Sequence, residues 1–146
     1  KRLRMGPFIQ TIIDNSEKRL SDLKNASISS AIMDDPKSDG STRFYMYSGH
    51  DTTVAGVLNG LGLFDPPIGP PYAAMVIFEL YRSPSDEAVL KISYRNDTNS
   101  DEAIVLTMDG CSTLCPLKKF KDLTRKIRPI NWHSECELDP STLTFD

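Results

Sequence analysis

The sequence predicts an α/β fold, a mixed sheet flanked by helices, and three patterns support this class. An amphipathic helix is predicted from residue 7 to about residue 25, because apolar side chains recur there at helical spacing. A short strand, a tight turn and a second helix are predicted from residue 43 onwards. Two further β-like runs are then joined by a loop of hairpin length. A helix bundle or a β-sandwich would not show this order.

The elements before the hairpin follow one another along the chain. The polar segment 34–40 contains a proline and a glycine among acidic residues, which predicts a surface loop. The aromatic run 43–48 predicts a strand, Gly49 a tight turn, and the following apolar pattern a helix that begins near Thr52. The apolar face of the first helix comprises Phe8, Ile9, Ile12, Ile13, Leu20 and Leu23.

The later elements are a connector, a hairpin and a helix. Four prolines in 65–71 fix their own backbone angles and lack amide donors, so this segment is a rigid connector. Strands are predicted at 74–81 and 88–94, antiparallel to each other, and a short apolar run follows at 103–106. Pro116 opens a last helix, and the tail after Trp132 shows no periodicity. The apolar residues of that helix are Leu117, Phe120, Leu123 and Ile127.

Composition excludes several classes of function. A chain of 146 residues that is 39% hydrophobic has enough apolar material for one core. Its net charge of -3 and the absence of a Lys/Arg block argue against a nucleic-acid-binding surface or a site for anionic membranes. The apolar stretches are well below the ~20 residues of a membrane-spanning helix, so no transmembrane segment is expected in this chain.

Two N-glycosylation patterns and three cysteines favour an oxidising compartment. The glycosylation patterns begin at Asn25 and Asn96. Cys111 and Cys115 lie close together in sequence, and if they pair, Cys136 is left over.

Gly49-His50-Asp51 is the strongest candidate site. These residues lie between the predicted strand and helix, at the edge of an α/β sheet where ligands bind. The amides of Thr52 and Thr53 are expected to be unpaired in the first helical turn, where an anion such as phosphate could be held. A His-Asp pair by itself is weak evidence, since Asp is a common helix N-cap. Together with the glycine and two threonines it indicates an anion site.

The segment Tyr47-Ser48-Gly49-His50-Asp51-Thr52-Thr53 closely resembles the His-Asp motif of the histidine acid phosphatases, the lysosomal and prostatic type. The resemblance implies that residues 1–136 form the carboxy-terminal half of that family's domain and that residues 137–146 are a tail. It also implies a partial histidine-phosphatase fold, which is phosphoglycerate-mutase-like. Further similar segments, in the family's order, are 6–9, 70–73, 78–81, 94–96, 110–111 and 115–117.

The resemblance implies hydrolysis of phosphate monoesters through a phosphohistidine intermediate, without a metal or other cofactor. Asp51 matches the acid that protonates the leaving alcohol, and His50 matches a residue that lines the phosphate pocket. Thr52 is expected to contact the substrate beside them. A positioned acid typically contributes ~10²–10⁴-fold to the rate, and an acidic working pH would keep Asp51 protonated.

One departure from the family pattern decides what this chain is expected to do. The family's nucleophile lies in an amino-terminal Arg-His-Gly-x-Arg-x-Pro motif, which no segment here matches. The other histidine is His133, and Arg43 and Arg95 are interpreted as surface charges. The chain also lacks an initiating methionine, so it is expected to be an excerpt. We therefore expect that the nucleophile lies in a missing amino-terminal part and that the chain needs the rest of its own domain as a partner. The chain by itself is expected to have no phosphatase activity.

The resemblance also implies a disulfide between Cys111 and Cys115 and a second disulfide between Cys136 and an upstream cysteine. It implies a glycoprotein that is secreted or lysosomal, and a homodimer as among relatives. An inactive phosphatase-like secreted binding protein is one alternative. Another is a small zinc-binding module that uses the three cysteines and His133.

Overall fold

The computed structural model of the protein describes residues 2–29, 42–65 and 67–136, with the side chains of 26–29 excepted. The loop predicted at 34–40 and the tail predicted at 137–146 lie outside the described residues. Within the described ranges, helices pack on one open sheet, which agrees with the α/β class. No helix in these ranges is both long enough and apolar enough to cross a membrane.

The predicted hairpin is confirmed. Strand β1 spans Met75–Arg82 and strand β2 spans Ala88–Arg95, and they pair antiparallel with Leu80 opposite Leu90. On its other side β2 pairs with β3, Ile104–Leu106, and with the two-residue strand β4, Cys115–Pro116. Every pairing among the described strands is antiparallel.

The first helix, α1, spans Arg2–Ser29 and therefore begins five residues before the predicted start at Pro7. Pro7 lies inside the helix. Gly6 beside it permits a close approach, because a Cβ there would lie 2.2 Å from the carbonyl oxygen of Ile127. The start of α1 is thus held by the carboxy-terminal part of the chain.

The other helices lie close to their predicted positions. Helix α2 spans Asp51–Leu61 and ends at Gly62, whose left-handed backbone (φ 73°) suits a glycine. Helix α3 spans Leu117–Thr124 and continues into a 3₁₀ turn at Arg125–Ile127.

A short helix, α4, occupies Trp132–Cys136, where the sequence showed no periodicity. The Asn131 side chain accepts a hydrogen bond from the Ser134 N–H at 3.1 Å, and its carbonyl accepts one from the Glu135 N–H at 3.0 Å. This single turn is therefore stabilised by capping, which apolar spacing does not reveal.

The core forms where α1, α2 and α3 meet the sheet, and Phe120 and Ile13 are fully buried in it. Burial of apolar surface contributes roughly 25 cal/mol per Å² and is the dominant favourable term in folding. The buried apolar residues are Ile9, Ile13, Val57, Leu58, Leu61, Val89, Leu90, Ile92, Met108, Cys115, Leu117 and Phe120.

The strand predicted at 43–48 is not formed. Residues 42–50 have no regular secondary structure and pair with none of the described strands. Phe44 and Met46 are 79% and 81% exposed, whereas Tyr45 and Tyr47 are 38% and 48% exposed. The side chains thus alternate as in a strand, but a strand also requires a neighbouring backbone. The described strands provide none.

Candidate active site

His50 is the N-cap of α2 and the centre of the turn that precedes it. Its backbone is extended (φ -90°, ψ 167°), and its carbonyl accepts hydrogen bonds from Thr53 N–H at 2.9 Å and Val54 N–H at 3.2 Å. Gly49 lies close to the Thr53 side chain: a Cβ there would be 3.1 Å from the Cβ of Thr53, a crowded contact. The glycine therefore relieves crowding in the turn and does not have a left-handed backbone.

The turn places His50 and Asp51 side by side at the amino end of α2, and both are exposed to solvent. Thr52 follows them in the first turn and is also exposed. The positive end of the helix dipole lies at this position and favours negative groups, both carboxylate and phosphate. The three predicted site residues are therefore consecutive and accessible at the start of α2.

The expectation of two unpaired amides is wrong in this structure. Thr52 N–H donates to Oδ1 of Asp51 at 2.6 Å, and Thr53 N–H donates to the His50 carbonyl at 2.9 Å. Amides in a first helical turn lack partners within the helix, so they bond to any acceptor nearby. An anion could reach Thr52 N–H only after the Asp51 carboxylate has moved away from it.

Helix α1 anchors the segment that leads into the site. Asn15 donates from Nδ2 to the hydroxyl oxygen of Tyr47 at 2.7 Å. The rings of Tyr47 and Phe8 meet edge to face, with centroids 5.0 Å apart. Sequence reasoning did not identify Asn15, because its partner lies 32 positions away and no local pattern connects them.

Helix α2 is itself held close to α1. A Cβ on Gly56 would lie 2.9 Å from Sδ of Met5, and a Cβ on Gly60 would lie 3.5 Å from Cδ1 of Ile9. Both glycines therefore lie against side chains of α1, which contacts both the segment before His50 and the helix after it.

Two other residues considered from the sequence lie elsewhere. Arg95 donates from Nε to the Ser100 carbonyl at 2.6 Å, so it braces the loop after β2. Its side chain is only 17% exposed, which corrects the interpretation of a simple surface charge. His133 lies in α4, where its ring meets the ring of Trp132. Neither residue belongs to the turn at His50.

The cysteines form one disulfide in the described part of the chain. Cys111 and Cys115 are bonded, as the resemblance implied, and Cys136 is a half-buried free cysteine. Two of the four ligands of the alternative zinc site are therefore not thiolates. The described residues also contain no group of three or more His, Cys, Asp or Glu side chains that could hold a metal. The zinc-module alternative is not supported.

Both glycosylation patterns begin at exposed asparagines. Asn25 lies near the end of α1, and Asn96 lies in the loop between β2 and β3.

Comparison with known proteins identifies the family. Residues 6–95 match the family model of the histidine phosphatase superfamily (branch 2). Rat (Rattus norvegicus) prostatic acid phosphatase is 40% identical over 94 residues, which cover 64% of this chain and 24% of that protein. Rat lysosomal acid phosphatase is 32% identical over 120 residues, which cover 82% of this chain and 26% of that protein. A Caenorhabditis elegans protein named as an acid phosphatase is 30% identical over 141 residues, which cover 97% of this chain and 30% of that protein.

The chain therefore belongs to the histidine phosphatase superfamily, and the resemblance found in the sequence is confirmed. The match spans the turn that carries His50 and Asp51. The chain spans only about a quarter to a third of the length of these relatives.

Proposed function

We propose that this chain supplies the proton-donor part of an acid phosphatase that hydrolyses phosphate monoesters through a phosphohistidine. The observation that carries the proposal is the placement of His50 and Asp51 side by side, exposed, at the positive end of α2. Membership of the histidine phosphatase superfamily supports it, because the match includes this turn.

In the first step a nucleophilic imidazole attacks phosphorus, and the bond between phosphorus and the leaving oxygen breaks. Asp51 transfers its proton to that oxygen, so the product leaves as an alcohol instead of an alkoxide. In the second step water attacks the phosphorus of the phosphohistidine, and the bond between phosphorus and the imidazole nitrogen breaks, which releases inorganic phosphate. The Asp51 carboxylate accepts a proton from the water. His50 and Thr52 contact the transferring phosphoryl group, and His50 stabilises its charge with a hydrogen bond.

The nucleophile is proposed to come from outside these 146 residues. The chain contains two histidines, and neither lies in an Arg-His-Gly motif. The turn is open to solvent, whereas phosphoryl transfer is favoured in a site that excludes water. The solvent-exposed apolar side chains of Phe44 and Met46 lie just before this turn. We infer that the rest of the phosphatase domain packs against them and completes the site.

The proposed compartment is the lysosomal lumen or the extracellular space. The Cys111–Cys115 disulfide is typical of an oxidising environment, and relatives include prostatic and lysosomal acid phosphatases. Glycosylation at Asn25 and Asn96, a disulfide from Cys136 to an upstream cysteine, and a homodimer belong to the same proposal. A mobility shift on enzymatic removal of N-glycans, lost one step at a time in Asn25→Gln and Asn96→Gln, tests the glycosylation.

A chimera tests the activity. The part of rat prostatic acid phosphatase that aligns with this chain is replaced by the chain's own residues, so the remaining part of that enzyme supplies the nucleophile. We expect turnover of an aryl phosphate at acidic pH by this chimera and none by the 146-residue chain. Turnover by the chain itself would contradict the proposed source of the nucleophile.

The role of Asp51 is tested in the same chimera with two substrates. Asp51→Asn is expected to slow hydrolysis of an alkyl phosphate by ~10²–10⁴-fold, because the poor leaving group needs a proton. An aryl phosphate with a good leaving group should lose much less. Asp65→Asn, an exposed acid beyond the other end of α2, is the matched control. An equal loss for both substrates would contradict a general-acid role.

A further inference from the structure

Thr53 contacts the backbone of His50 through its hydroxyl oxygen and through its backbone N–H. The His50 N–H donates to Oγ1 of Thr53 at 3.3 Å, and the Thr53 N–H donates to the His50 carbonyl at 2.9 Å. The Thr53 side chain also lies against Gly49, as its Cβ, Cγ2 and Oγ1 atoms would be 3.1 to 3.2 Å from a Cβ there. One side chain therefore contacts both residues that form the turn.

These contacts fix the backbone from which the imidazole extends. The backbone restricts which rotamers an N-cap side chain can adopt, and Thr53 bonds to the N–H and to the C=O of that residue. An error of about 1 Å in the position of a reacting group can cost ~10²-fold in rate. A hydrogen bond that fixes the His50 backbone is thus able to affect turnover without touching the substrate.

Thr53 and His50 form a capping box, which also stabilises the start of α2. The third residue of a helix is commonly Glu or Gln when it bonds back to the N-cap amide, and these residues are also better helix formers than Thr. The shorter Thr53 side chain reaches the His50 amide beside Gly49, where a larger residue would be crowded.

We propose that Thr53 is a positioning residue for the phosphatase reaction, and that its hydroxyl oxygen holds His50 in the orientation that faces the phosphoryl group. This inference rests on the proposed function. It assigns the role to the hydroxyl, because the methyl group makes no bond to the His50 amide.

The test compares two substitutions in the chimera described above. Thr53→Val keeps the shape and removes the acceptor, so kcat should fall about tenfold while KM changes by less than about twofold. Thr53→Ser keeps the acceptor and should retain kcat within about twofold of the parent. Thr107→Val, an exposed threonine after β3, is the control and should leave both constants unchanged. If the valine and serine variants have the same kcat per folded molecule, the proposal is overturned.

Hydrogen exchange in the 146-residue chain gives a readout that is independent of activity. The His50 amide should exchange about tenfold faster in Thr53→Val than in Thr53→Ser, because only the serine variant keeps the acceptor. Equal exchange in both variants would overturn the positioning role even if Asp51→Asn impairs the chimera. If Asp51→Asn leaves the chimera unimpaired, the proposed function fails. Faster exchange in Thr53→Val would then still support the contact.

Discussion

Trp132 donates its indole N–H to the backbone carbonyl of Leu3 at 2.9 Å. Leu3 lies four residues before Pro7, and Pro7 has no N–H with which to make the helical bond to that carbonyl. The indole therefore replaces the hydrogen bond that proline removes from α1. This contact supports the part of α1 that precedes Pro7.

Trp132→Phe should lower the free energy of unfolding by about 1 kcal/mol, because it removes the N–H and keeps an aromatic ring. The loss should be smaller in a Pro7→Ala background, where the helix regains its own donor. Urea unfolding of the single and double variants measures both effects. Tyr72→Phe, at a side chain that is 95% exposed, is the control. Equal losses in both backgrounds would show that the indole does not compensate for Pro7.

Acid should weaken the contact between α4 and the start of α1. Arg2 holds Glu135 with bonds of 2.5 and 2.7 Å to its two carboxylate oxygens, and mainly this hydrogen bonding lowers the pKa of Glu135 from 4.5 to about 2. A lowered pKa in the folded state means that the stabilisation is fully present above pH 4.5 and is lost as the pH falls through about 2.

Glu135→Gln should therefore flatten the pH dependence of stability in that window. The midpoint of urea unfolding, measured from neutral pH down to about 2, should fall less steeply in Glu135→Gln than in the parent chain. Glu102→Gln, at an exposed position before β3, serves as the control. Parallel curves for the parent and Glu135→Gln would contradict the role of this ion pair.

Gly6→Ala should destabilise the protein although alanine is the better helix former. The new Cβ would lie 2.2 Å from the Ile127 carbonyl oxygen and 2.6 Å from Cδ of Pro129, so the backbone must shift. We expect a loss of about 1–3 kcal/mol, against the gain of ~1 kcal/mol that propensity alone predicts. Thermal unfolding measures the sign. Gly69→Ala, where no atom lies within 4 Å of a Cβ, is the control.

The predictable parts of the fold are those that depend on neighbours in sequence. The observed β1, Met75–Arg82, differs from the predicted strand by one residue at each end, because alternation and a short loop determine a hairpin. The start of α1 was predicted wrongly because its support comes from Trp132 at the other end of the chain. No local pattern in the sequence contains that information.

The site divides in the same way. The position of His50 before a helix was predictable, since a glycine marks the turn and apolar residues at helical spacing follow it. The hydrogen bonding of the Thr52 amide was not predictable, because it depends on the direction of the Asp51 side chain. The bracing of Tyr47 by Asn15 is a contact between distant segments and was likewise not predictable.

The exposed face of 43–48 provides a test of what completes the domain. Phe44 is 79% exposed, so Phe44→Ser should change the stability of the 146-residue chain by no more than about 0.5 kcal/mol. In the chimera the same substitution should cost about 2 kcal/mol, since the ring would then be buried against the rest of the domain. Ile130→Ser, at a side chain that is 97% exposed, controls for loss of an apolar surface residue. A negligible cost of Phe44→Ser in both proteins would show that the rest of the domain packs elsewhere, and the exposure of this segment would then need another explanation.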